Sequence, residues 1–183
     1  MTKDKLLIVV DMQNDFVSGV LGNDEAKAIV PNVVEKVKNW DGDLIFTADT
    51  HENDYLNTLE GKKLPIKHCI KDTNGWEIIP ELKDYSKFTG HSTVIRKNTF
   101  GFSHWKVFLS NPYGKYQYDE VHLIGLDLDI CVITNALIIK TQYPDTEVFV
   151  DVSCCAGSTP AKYKAAIEVL KSCQINVIGE NNV

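Results

Sequence analysis

Three side chains that are far apart in the sequence could act together in nucleophilic chemistry: a thiol, a carboxylate and an ammonium. Asp11 and Lys97 each end an apolar run, and Cys131 lies just beyond a third. A thiolate is a strong nucleophile, a carboxylate can accept the thiol proton, and an ammonium can stabilise the charge that forms. Taken singly, they have plainer explanations as a buried thiol, a helix cap and a solvated surface charge. Their shared placement at the ends of apolar runs favours nucleophilic catalysis by Cys131.

Four further side chains have the chemistry to bind a metal ion. Asp49 and His51 are two residues apart, and residues i and i+2 of an extended chain point the same way, so both can reach one ion. The loop that follows adds Glu60 and His68. Two imidazoles and two carboxylates suit zinc, manganese or iron and make a poor calcium site. The alternative is that His51 and His68 are ordinary loop histidines.

Strands and helices that alternate along the chain must position these residues. Short apolar runs predict six strands, in the segments KLLIVVD, GDLIFTAD, STVIRK, EVHLIGL, TEVFVDV and INVIG. Helical spacing begins at Pro31 and recurs over residues 103–109, 130–140 and 161–172, whereas residues 50–75 predict a long loop or a set of short turns. This alternation predicts an α/β fold with a parallel, doubly wound sheet, and the length predicts a single domain over residues 1–183.

The predicted strands bring the reactive side chains to one edge of the sheet. Asp11, Asp49 and Lys97 each lie at the carboxyl end of a strand, and Cys131 lies just beyond the end of a fourth. In open α/β sheets the ligand crevice lies outside these carboxyl ends. Cys131 would occupy the first turn of the next helix, where unpaired N–H groups and the helix dipole stabilise a thiolate.

The motifs around these residues also resemble those of a known family. IVVDMQNDF with Asp11, RKNTFGF with Lys97 and GLDLDICVITNAL with Cys131 resemble the cysteine hydrolases of the isochorismatase-like superfamily, and within it the nicotinamidase branch. The resemblance covers nearly the whole chain, with the motifs in the same order. It implies a three-layer αβα fold with a six-stranded parallel sheet of Rossmann-like topology.

The resemblance implies an enzyme, an amidohydrolase that acts on a linear amide C–N bond through an Asp–Lys–Cys triad. In this sequence Cys131 would attack the amide carbonyl, Asp11 would accept the thiol proton and later activate water, and Lys97 would orient and stabilise the charges. Ammonia would leave first, giving a thioester, and water would then release the acid. Because the plain isochorismatases lack the cysteine, Cys131 favours hydrolysis of nicotinamide or a similar small amide.

The family also has a cis peptide bond just before the nucleophile, which here predicts a cis bond between Leu126 and Asp127. Such a bond would turn the backbone N–H groups of Asp127 and Cys131 toward the developing oxyanion. The family usually has a small or neutral residue at position 127, so the acidic side chain either binds a polar group of the substrate or points away. Asp129 is more common in the family and is expected to be a structural hydrogen-bonding partner.

For the metal, the resemblance implies a divalent transition ion that holds the pyridine nitrogen of the substrate, with zinc first and manganese or iron as alternatives. Asp49, His51 and His68 would be ligands. A further side chain completes the set in the family, and Glu60 is a better match for it than Asp54.

The substrate pocket is expected to include Phe16, Leu64 and Phe100. Nicotinamidases commonly place an aromatic residue shortly before the second histidine, where it stacks on the pyridine ring, but this chain has Leu64 near that place. Phe100, Phe102 or Trp105 would then supply a face for the ring. A related amide therefore remains an alternative to nicotinamide.

Composition argues against several other classes of function. The net charge of −6, with scattered lysines and arginines, is unsuited to a nucleic-acid partner. No apolar stretch reaches the length of a signal peptide or membrane span, so we expect a cytoplasmic protein without membrane contact. Five cysteines without CxxC spacing predict no disulfide framework. Members of the family often assemble, so a homo-oligomer is also a candidate, with NPYGKYQYDE as an interface segment.

Two other functions remain open from the sequence. A metal-free relative would hydrolyse a carbamoyl or ureido amide, with His51 and His68 merely structural. A catalytically idle member of the family would serve as a binding or scaffold protein. Metal content separates the metal-free relative from the metal-assisted enzyme: a purified protein without bound transition metal, and without loss of activity in chelator, would exclude the metal-assisted enzyme. The intact set of Asp11, Lys97 and Cys131 argues against the idle member.

Overall fold

The protein is built on one parallel sheet with helices on both faces. The computed structural model describes residues 4–87, 92–110 and 118–180. The strands in these ranges form a six-stranded sheet in the order β3-β2-β1-β4-β5-β6, and every neighbouring pair is parallel. Their bounds are β1 Lys5–Val10, β2 Asp43–Asp49, β3 Ser92–Lys97, β4 Glu120–Gly125, β5 Glu147–Cys155 and β6 Asn176–Ile178.

Seven α-helical segments lie in the described ranges, several of them only one turn long. They are α1 Asn14–Val17, α2 Asp24–Ala28, α3 Val30–Lys38, α4 Leu59–Lys63, α5 Trp105–Phe108, α6 Ile133–Gln142 and α7 Pro160–Ser172. Short 3-10 turns add Tyr55–Asn57, Asn74–Trp76 and Pro80–Leu82, and a π-helical turn, Leu128–Val132, leads directly into α6. The region predicted as a loop or short turns, residues 50–75, is therefore made of turns and the short helix α4.

The central strand β1 shows why its apolar run is unbroken. Leu6, Ile8 and Val10 belong to the hydrophobic cluster on one face of the sheet, and Leu7 and Val9 belong to the cluster on the other face. Residues of α5, α6 and α7 complete the first cluster, and residues of α1, α2 and α3 complete the second. A strand covered on both faces cannot alternate apolar with polar residues. The predicted three-layer αβα fold is confirmed.

The strand order reverses direction at β1. The chain moves outward from β1 through β2 to β3, and then returns to the other side of β1 with β4. Ligand crevices in doubly wound sheets lie at the carboxyl ends of the strands where this reversal occurs. In this protein, those ends are Val10, which precedes Asp11, and Gly125, which precedes the turn that carries Cys131.

Gly125 is required at the end of β4 for two reasons. Its φ of +114° lies in a region that side chains with a Cβ rarely adopt. A Cβ at this position would also collide with the Val10 carbonyl oxygen, which accepts a hydrogen bond from Leu126 N–H at 2.9 Å. The close approach of these two backbones brings the segment after β4 next to the residue that follows β1.

Some local predictions need adjustment, and some lie outside the described ranges. The helix predicted over residues 130–140 starts earlier, with the π-helical turn from Leu128, and the helix predicted over 103–109 is reduced to α5. Within the described ranges, no helix is long and apolar enough to cross a membrane. The candidate interface segment NPYGKYQYDE falls mainly on residues 111–117, outside the described residues.

Candidate active site

The structure brings the predicted thiol, carboxylate and ammonium together at the carboxyl edge of the sheet. Lys97 Nζ donates a hydrogen bond to Asp11 Oδ2 at 2.6 Å and lies 3.8 Å from Cys131 Sγ. All three residues are buried. Asp11 has a φ of +49°, a conformation uncommon for residues other than glycine, and its placement immediately after β1 turns its side chain into the crevice.

Thr47 is a further residue of this group, to which the sequence motifs do not point. Its Oγ1 donates to Asp11 Oδ1 at 2.6 Å, and its carbonyl oxygen accepts from Asp11 N–H at 3.2 Å. Together with Lys97, it gives each Asp11 carboxylate oxygen a hydrogen-bond donor. The available signal was a polar residue in the buried strand β2, two positions before Asp49 and therefore on the same side of the strand.

The pKa directions describe the resting state of this cluster. Burial raises the pKa of the Cys131 thiol well above its usual range, and the charge of Asp11 raises it further, so the thiol is protonated at rest. Burial also raises the pKa of Asp11 against the opposing effect of Lys97, which makes Asp11 a stronger base than an ordinary carboxylate. Burial alone would lower the pKa of Lys97, but the charges of Asp11, Cys131 and Asp49 raise it, so the ammonium stays charged.

The segment before Cys131 offers a free backbone donor. Leu126 N–H donates to the Val10 carbonyl and Leu128 N–H donates to the Ala156 carbonyl, whereas Asp127 N–H has no acceptor among the residues that the structure describes. The predicted cis bond between Leu126 and Asp127 is wrong, since the described ranges contain no cis peptide bond. The backbone of Gly125 makes the sharp turn instead, so the chain can change direction with a trans bond.

Asp129 has the structural role expected of it. Its two carboxylate oxygens accept hydrogen bonds from Ser158 N–H and Ser158 Oγ, each at 2.7 Å. Ser158 lies just before α7, so these bonds fix the turn that carries Cys131 against the next layer of the fold.

A pH dependence follows from the partly buried carboxyl of Asp127. Burial, then the charges of Asp129 and Asp11, raise its pKa from 3.8 to about 7. The folded state therefore binds this proton more tightly than the unfolded chain, and the resulting stabilisation is complete below about pH 4 and lost as the pH rises through about 7. Asp127→Asn should consequently gain Tm relative to the natural protein between about pH 5 and about pH 8. Parallel thermal melts check this, and Asp84→Asn, at an exposed carboxylate, should show no such gain.

The predicted metal ligands also lie together. His51 Nε2 is 2.9 Å from Asp49 Oδ2 and 3.7 Å from Glu60 Oε1, and His68 Nε2 is 3.5 Å and 4.0 Å from the same two oxygens. One ligand atom from each of Asp49, His51 and His68 lies within 4.8 Å of the others. Asp54 forms no ion pair with either histidine within the described ranges, so Glu60 is the fourth candidate.

The electrostatics of this cluster suit a bound cation. His68 Nδ1 lies 2.8 Å from the Ile66 carbonyl oxygen and must donate to it, so Nε2 is the nitrogen that faces Asp49 and Glu60. Burial alone would lower the pKa of His68, but its contacts with Asp49 and the Ile66 carbonyl raise it, so a metal ion would bind Nε2 in exchange for a proton. His51 Nε2 is buried and has no hydrogen bond of good geometry within the described ranges. Burial alone would raise the pKa of Asp49, but the two neighbouring imidazoles and the charge of Lys97 lower it, so this candidate ligand is a carboxylate.

Gln13 and Asp15, in the first motif, support the segments that carry the candidate metal ligands, and the sequence patterns do not point to this role. Gln13 Nε2 donates to the Asp49 and Trp76 carbonyls, both at 2.8 Å, and its Oε1 accepts from Asp49 N–H at 2.7 Å. Asp15 Oδ2 accepts from Cys69 N–H at 2.7 Å, next to His68. The available signal was the run of polar side chains in DMQND directly after a buried strand.

A pocket of about 310 Å³ opens beside both groups of residues. The predicted Phe16, Leu64 and Phe100 line it, and the Phe16 and His68 ring centroids are 5.6 Å apart. Trp105 is not part of it, because this side chain is buried in the core and donates to Asn135 Oδ1 at 2.9 Å. The residues that line the pocket are Phe16, Leu21, Asn23, Asp49, Glu60, Leu64, His68, Phe100, Asp127, Ile130, Cys131, Ser158 and Lys162.

Asn135 links the segment that follows Lys97 to the segment that carries Cys131. Its Nδ2 donates to the Cys131 carbonyl at 2.8 Å and to the Phe100 carbonyl at 3.3 Å, and its Oδ1 accepts from Phe102 N–H at 2.9 Å. This buried amide therefore ties the loop after Lys97 to the π-helical turn that carries Cys131.

The fold and the clustered residues are those of a known family. The sequence model of the isochorismatase domain family matches residues 5–181. The chain belongs to the isochorismatase family, as its motifs predict.

Relatives within the family are nicotinamidases. The nicotinamidase of Saccharomyces cerevisiae is 24% identical over 215 residues, which cover 95% of this chain and 99% of the yeast protein. The crystal structure of a nicotinamidase/pyrazinamidase from Bacillus subtilis matches with a TM-score of 0.78 and 23% identity, covering 95% of this chain and 98% of that one. The pyrazinamidase of Pyrococcus horikoshii, solved in complex with zinc, matches with a TM-score of 0.73 and 22% identity, covering 96% and 98%. These similarities support the nicotinamidase branch.

Proposed function

We propose that the protein is a cysteine-dependent amidohydrolase that converts a small carboxamide to its acid and ammonia, with nicotinamide as the first candidate substrate. The observation that carries the proposal is the contact of Lys97 with both Asp11 and Cys131, beside a pocket that Cys131 lines. The similarity to nicotinamidases supports the substrate class. A binding protein would have no use for a buried thiol held beside a base and a cation, so the idle alternative is disfavoured.

In the first half of the proposed reaction, Asp11 accepts the Cys131 thiol proton while sulfur attacks the amide carbonyl. The carbonyl oxygen becomes an oxyanion, which can accept hydrogen bonds from Asp127 N–H and Cys131 N–H. Lys97 stabilises the negative charge as it moves from Asp11 to sulfur. The C–N bond then breaks, and Asp11 returns its proton to the nitrogen, which leaves as ammonia. The acyl group remains on Cys131 as a thioester.

In the second half, Asp11 takes a proton from a water molecule, whose oxygen attacks the thioester carbonyl. The same backbone N–H groups stabilise the second oxyanion. When the C–S bond breaks, the sulfur recovers a proton from Asp11 and the acid is released. The raised pKa of both groups favours this exchange, because each can hold the proton in turn.

The proposed cofactor is a divalent transition ion, zinc first, held by Asp49, His51, His68 and Glu60. When bound, such an ion supplies a Lewis-acidic position that a ring nitrogen of the substrate can occupy. Gln13 and Asp15 hold the loops that carry these ligands, so the site is built by the chain before the ion arrives. The buried, unsatisfied His51 nitrogen favours this proposal over the metal-free alternative.

The volume and lining of the pocket limit the substrate. About 310 Å³ is at the lower end of small-molecule sites, which suits a single-ring compound. Apolar side chains such as Phe16, Leu64 and Phe100 provide surfaces for a flat ring. We therefore propose a small aromatic carboxamide as the substrate.

The direct test is a screen of small amides for ammonia release, with nicotinamide first, on the same preparation used for metal analysis. We expect nicotinamide or another single-ring carboxamide to be hydrolysed. Absence of ammonia release from every amide, in metal-loaded protein, would contradict the proposed function.

Metal content gives a separate prediction. His51→Ala should lower the transition-metal stoichiometry well below that of the natural protein and reduce activity with it, because the loss of one ligand or its support typically weakens binding by about 10–100-fold. Elemental analysis after dialysis measures the first effect. His104→Ala, at an exposed histidine away from the cluster, is the control and should retain the metal. Unchanged metal in His51→Ala would remove His51 from the ligand set.

A further inference from the structure

The carboxyl group of Asp127 lies in the pocket and has no role in the proposed reaction. The Asp127 carboxyl lines the pocket on the same turn as Cys131. Throughout residues 4–87, 92–110 and 118–180, nothing forms a hydrogen bond or an ion pair with it. Carboxyl groups withdrawn from water normally have such a partner, because desolvation of the charged form is unfavourable.

The neighbouring charges do not compensate Asp127. Asp129 and Asp11 are both acidic and, after burial itself, are the main reasons for its raised pKa of about 7. Lys162 is the nearby cation, but it is exposed at the rim of the pocket and donates to Ser158 Oγ at 3.2 Å. The Asp127 carboxyl is therefore an open acceptor in an acidic part of the pocket.

The other groups in this part of the pocket make the acceptor selective. Phe16, Leu21 and Ile130 are apolar and cannot donate a hydrogen bond. The polar side chains of Asn23 and Ser158 also line the pocket, but Asn23 Nδ2 donates to the Gly157 carbonyl at 3.4 Å and Ser158 Oγ donates to Asp129 Oδ2 at 2.7 Å. For a ring substituent directed toward Asp127, the Asp127 carboxyl is therefore the acceptor that has no donor of its own in the described residues. An N–H group satisfies that carboxyl, a methyl group leaves it unpaired, and a carboxylate is repelled by it.

We propose that Asp127 is a specificity-determining residue that accepts a hydrogen bond from an N–H group on the acyl part of the substrate. This inference rests on the proposed amidohydrolase function, and it narrows the substrate class to small aromatic carboxamides that carry an amino substituent. The hydrogen bond supplies the partner that Asp127 lacks in the free protein. Above about pH 7, where the Asp127 carboxyl is ionised, a hydrogen bond to this charged group corresponds to a preference of about 10–100-fold for the amino compound over its methyl isostere.

The test uses pairs of ring-substituted nicotinamides that differ only in an amino or a methyl group at the same position. For the metal-loaded natural protein, the amino-to-methyl ratio of kcat/KM should reach at least about tenfold at one ring position. In Asp127→Ala the ratio at that position should fall to within about threefold of unity. Because both substrates meet the same variant, the ratio is insensitive to a general loss of activity from a disturbed turn.

Lys162→Ala is the matched control, because it removes a charge from the rim of the same pocket. It should keep the amino-to-methyl ratio of the natural protein. A ratio below about threefold at every ring position, or a ratio that is the same in Asp127→Ala, would overturn the inference.

Binding gives a readout that does not depend on turnover. Calorimetry with Cys131→Ala and Cys131→Ala/Asp127→Ala measures the affinity for the same amino and methyl pairs. The amino preference should be present in the first protein and lost in the second. If the natural protein releases no ammonia from any amide, the proposed function fails, and the binding ratio still decides the role of Asp127: no preference, or a preference that survives Asp127→Ala, overturns it.

Discussion

Replacing Cys131 with alanine is expected to lower ammonia release by at least about 10³-fold, because Cys131 supplies the only thiol among the residues that line the pocket and the proposed acyl intermediate is its thioester. The natural protein, quenched with acid during turnover, should carry an acyl group on Cys131 that mass spectrometry detects. In Cys131→Ala both the turnover and the adduct should disappear. The fold should survive, since the change only shortens a small side chain.

Two other cysteines provide controls for this variant. Cys154 is a buried thiol of similar exposure, and Cys173 is an exposed thiol. Cys154→Ala and Cys173→Ala should both retain activity and the adduct. Appreciable turnover in Cys131→Ala would refute the proposed nucleophile, whichever amide is used.

Lys97→Met should both inactivate and destabilise the protein. The Lys97 side chain is 1% exposed and its partner Asp11 is fully buried, so removal of the ammonium leaves a carboxylate without its counter-charge. Breaking one side of such a buried pair lowers the free energy of unfolding by about 3–5 kcal/mol. Activity should fall by at least about 10²-fold, because the thiolate loses its stabilising cation. Denaturant unfolding and ammonia release measure the two effects.

The matched control for this prediction is an exposed ion pair of similar length. Lys83 Nζ lies 2.9 Å from Glu77 Oε2, but the Lys83 side chain is 60% exposed. Lys83→Met should change the free energy of unfolding by about 1 kcal/mol or less and leave activity unchanged. The double variant Asp11→Asn/Lys97→Met should regain part of the stability lost in Lys97→Met, because the buried charge is gone, and should remain inactive. Equal destabilisation by Lys97→Met and Lys83→Met would contradict the importance of the buried pair.

The fold could be predicted from the sequence because its central strands β1 and β4 are buried on both faces. KLLIVVD has no period of two, and only a covered parallel strand explains such a run. The ends of the strands could be predicted for the same reason: the first charged residue after an apolar run marks the edge of the sheet. Asp11 and Asp49 are located in this way, Lys97 follows Arg96 as the second charged residue after its apolar run, and the proximity of all three follows from parallel pairing.

The residues that were missed act between segments that are distant in the sequence. Thr47 supports Asp11 from a position 36 residues away, and Gln13 supports Asp49 over the same separation. Their importance depends on which strands are neighbours, and periodicity does not encode strand order. Trp105 is the reverse case, a residue that the sequence proposes for the site but the structure places elsewhere. It lies close to the motif of Lys97 and was therefore a candidate for the pocket, but its side chain is buried in the core. Near a short helix such as α5, the sequence pattern is too brief to define a buried face.

Backbone geometry at the nucleophile was the other element that the sequence did not determine. The cis bond was expected from resemblance, whereas the turn is made by Gly125 and a π-helical turn. A glycine before an apolar segment is compatible with either geometry. The two geometries differ in only a few backbone dihedral angles, and these angles do not change the pattern of apolar and polar residues along the chain.

The register of β2 and β3 has an evolutionary consequence. Asp49 and Lys97 are partners across these strands, with Lys97 Nζ 3.9 Å from Asp49 Oδ1. The Asp49 carboxylate therefore belongs to the proposed metal centre and also contributes to the electrostatic field at Lys97 of the proposed triad. A descendant that abandoned the metal by mutating Asp49 would alter its proton-transfer chemistry at the same step. We therefore expect substitutions in the proposed metal centre and in the proposed triad to accumulate together in this lineage. The loop that carries the metal ligands could then not be replaced by that of a relative without changing the triad.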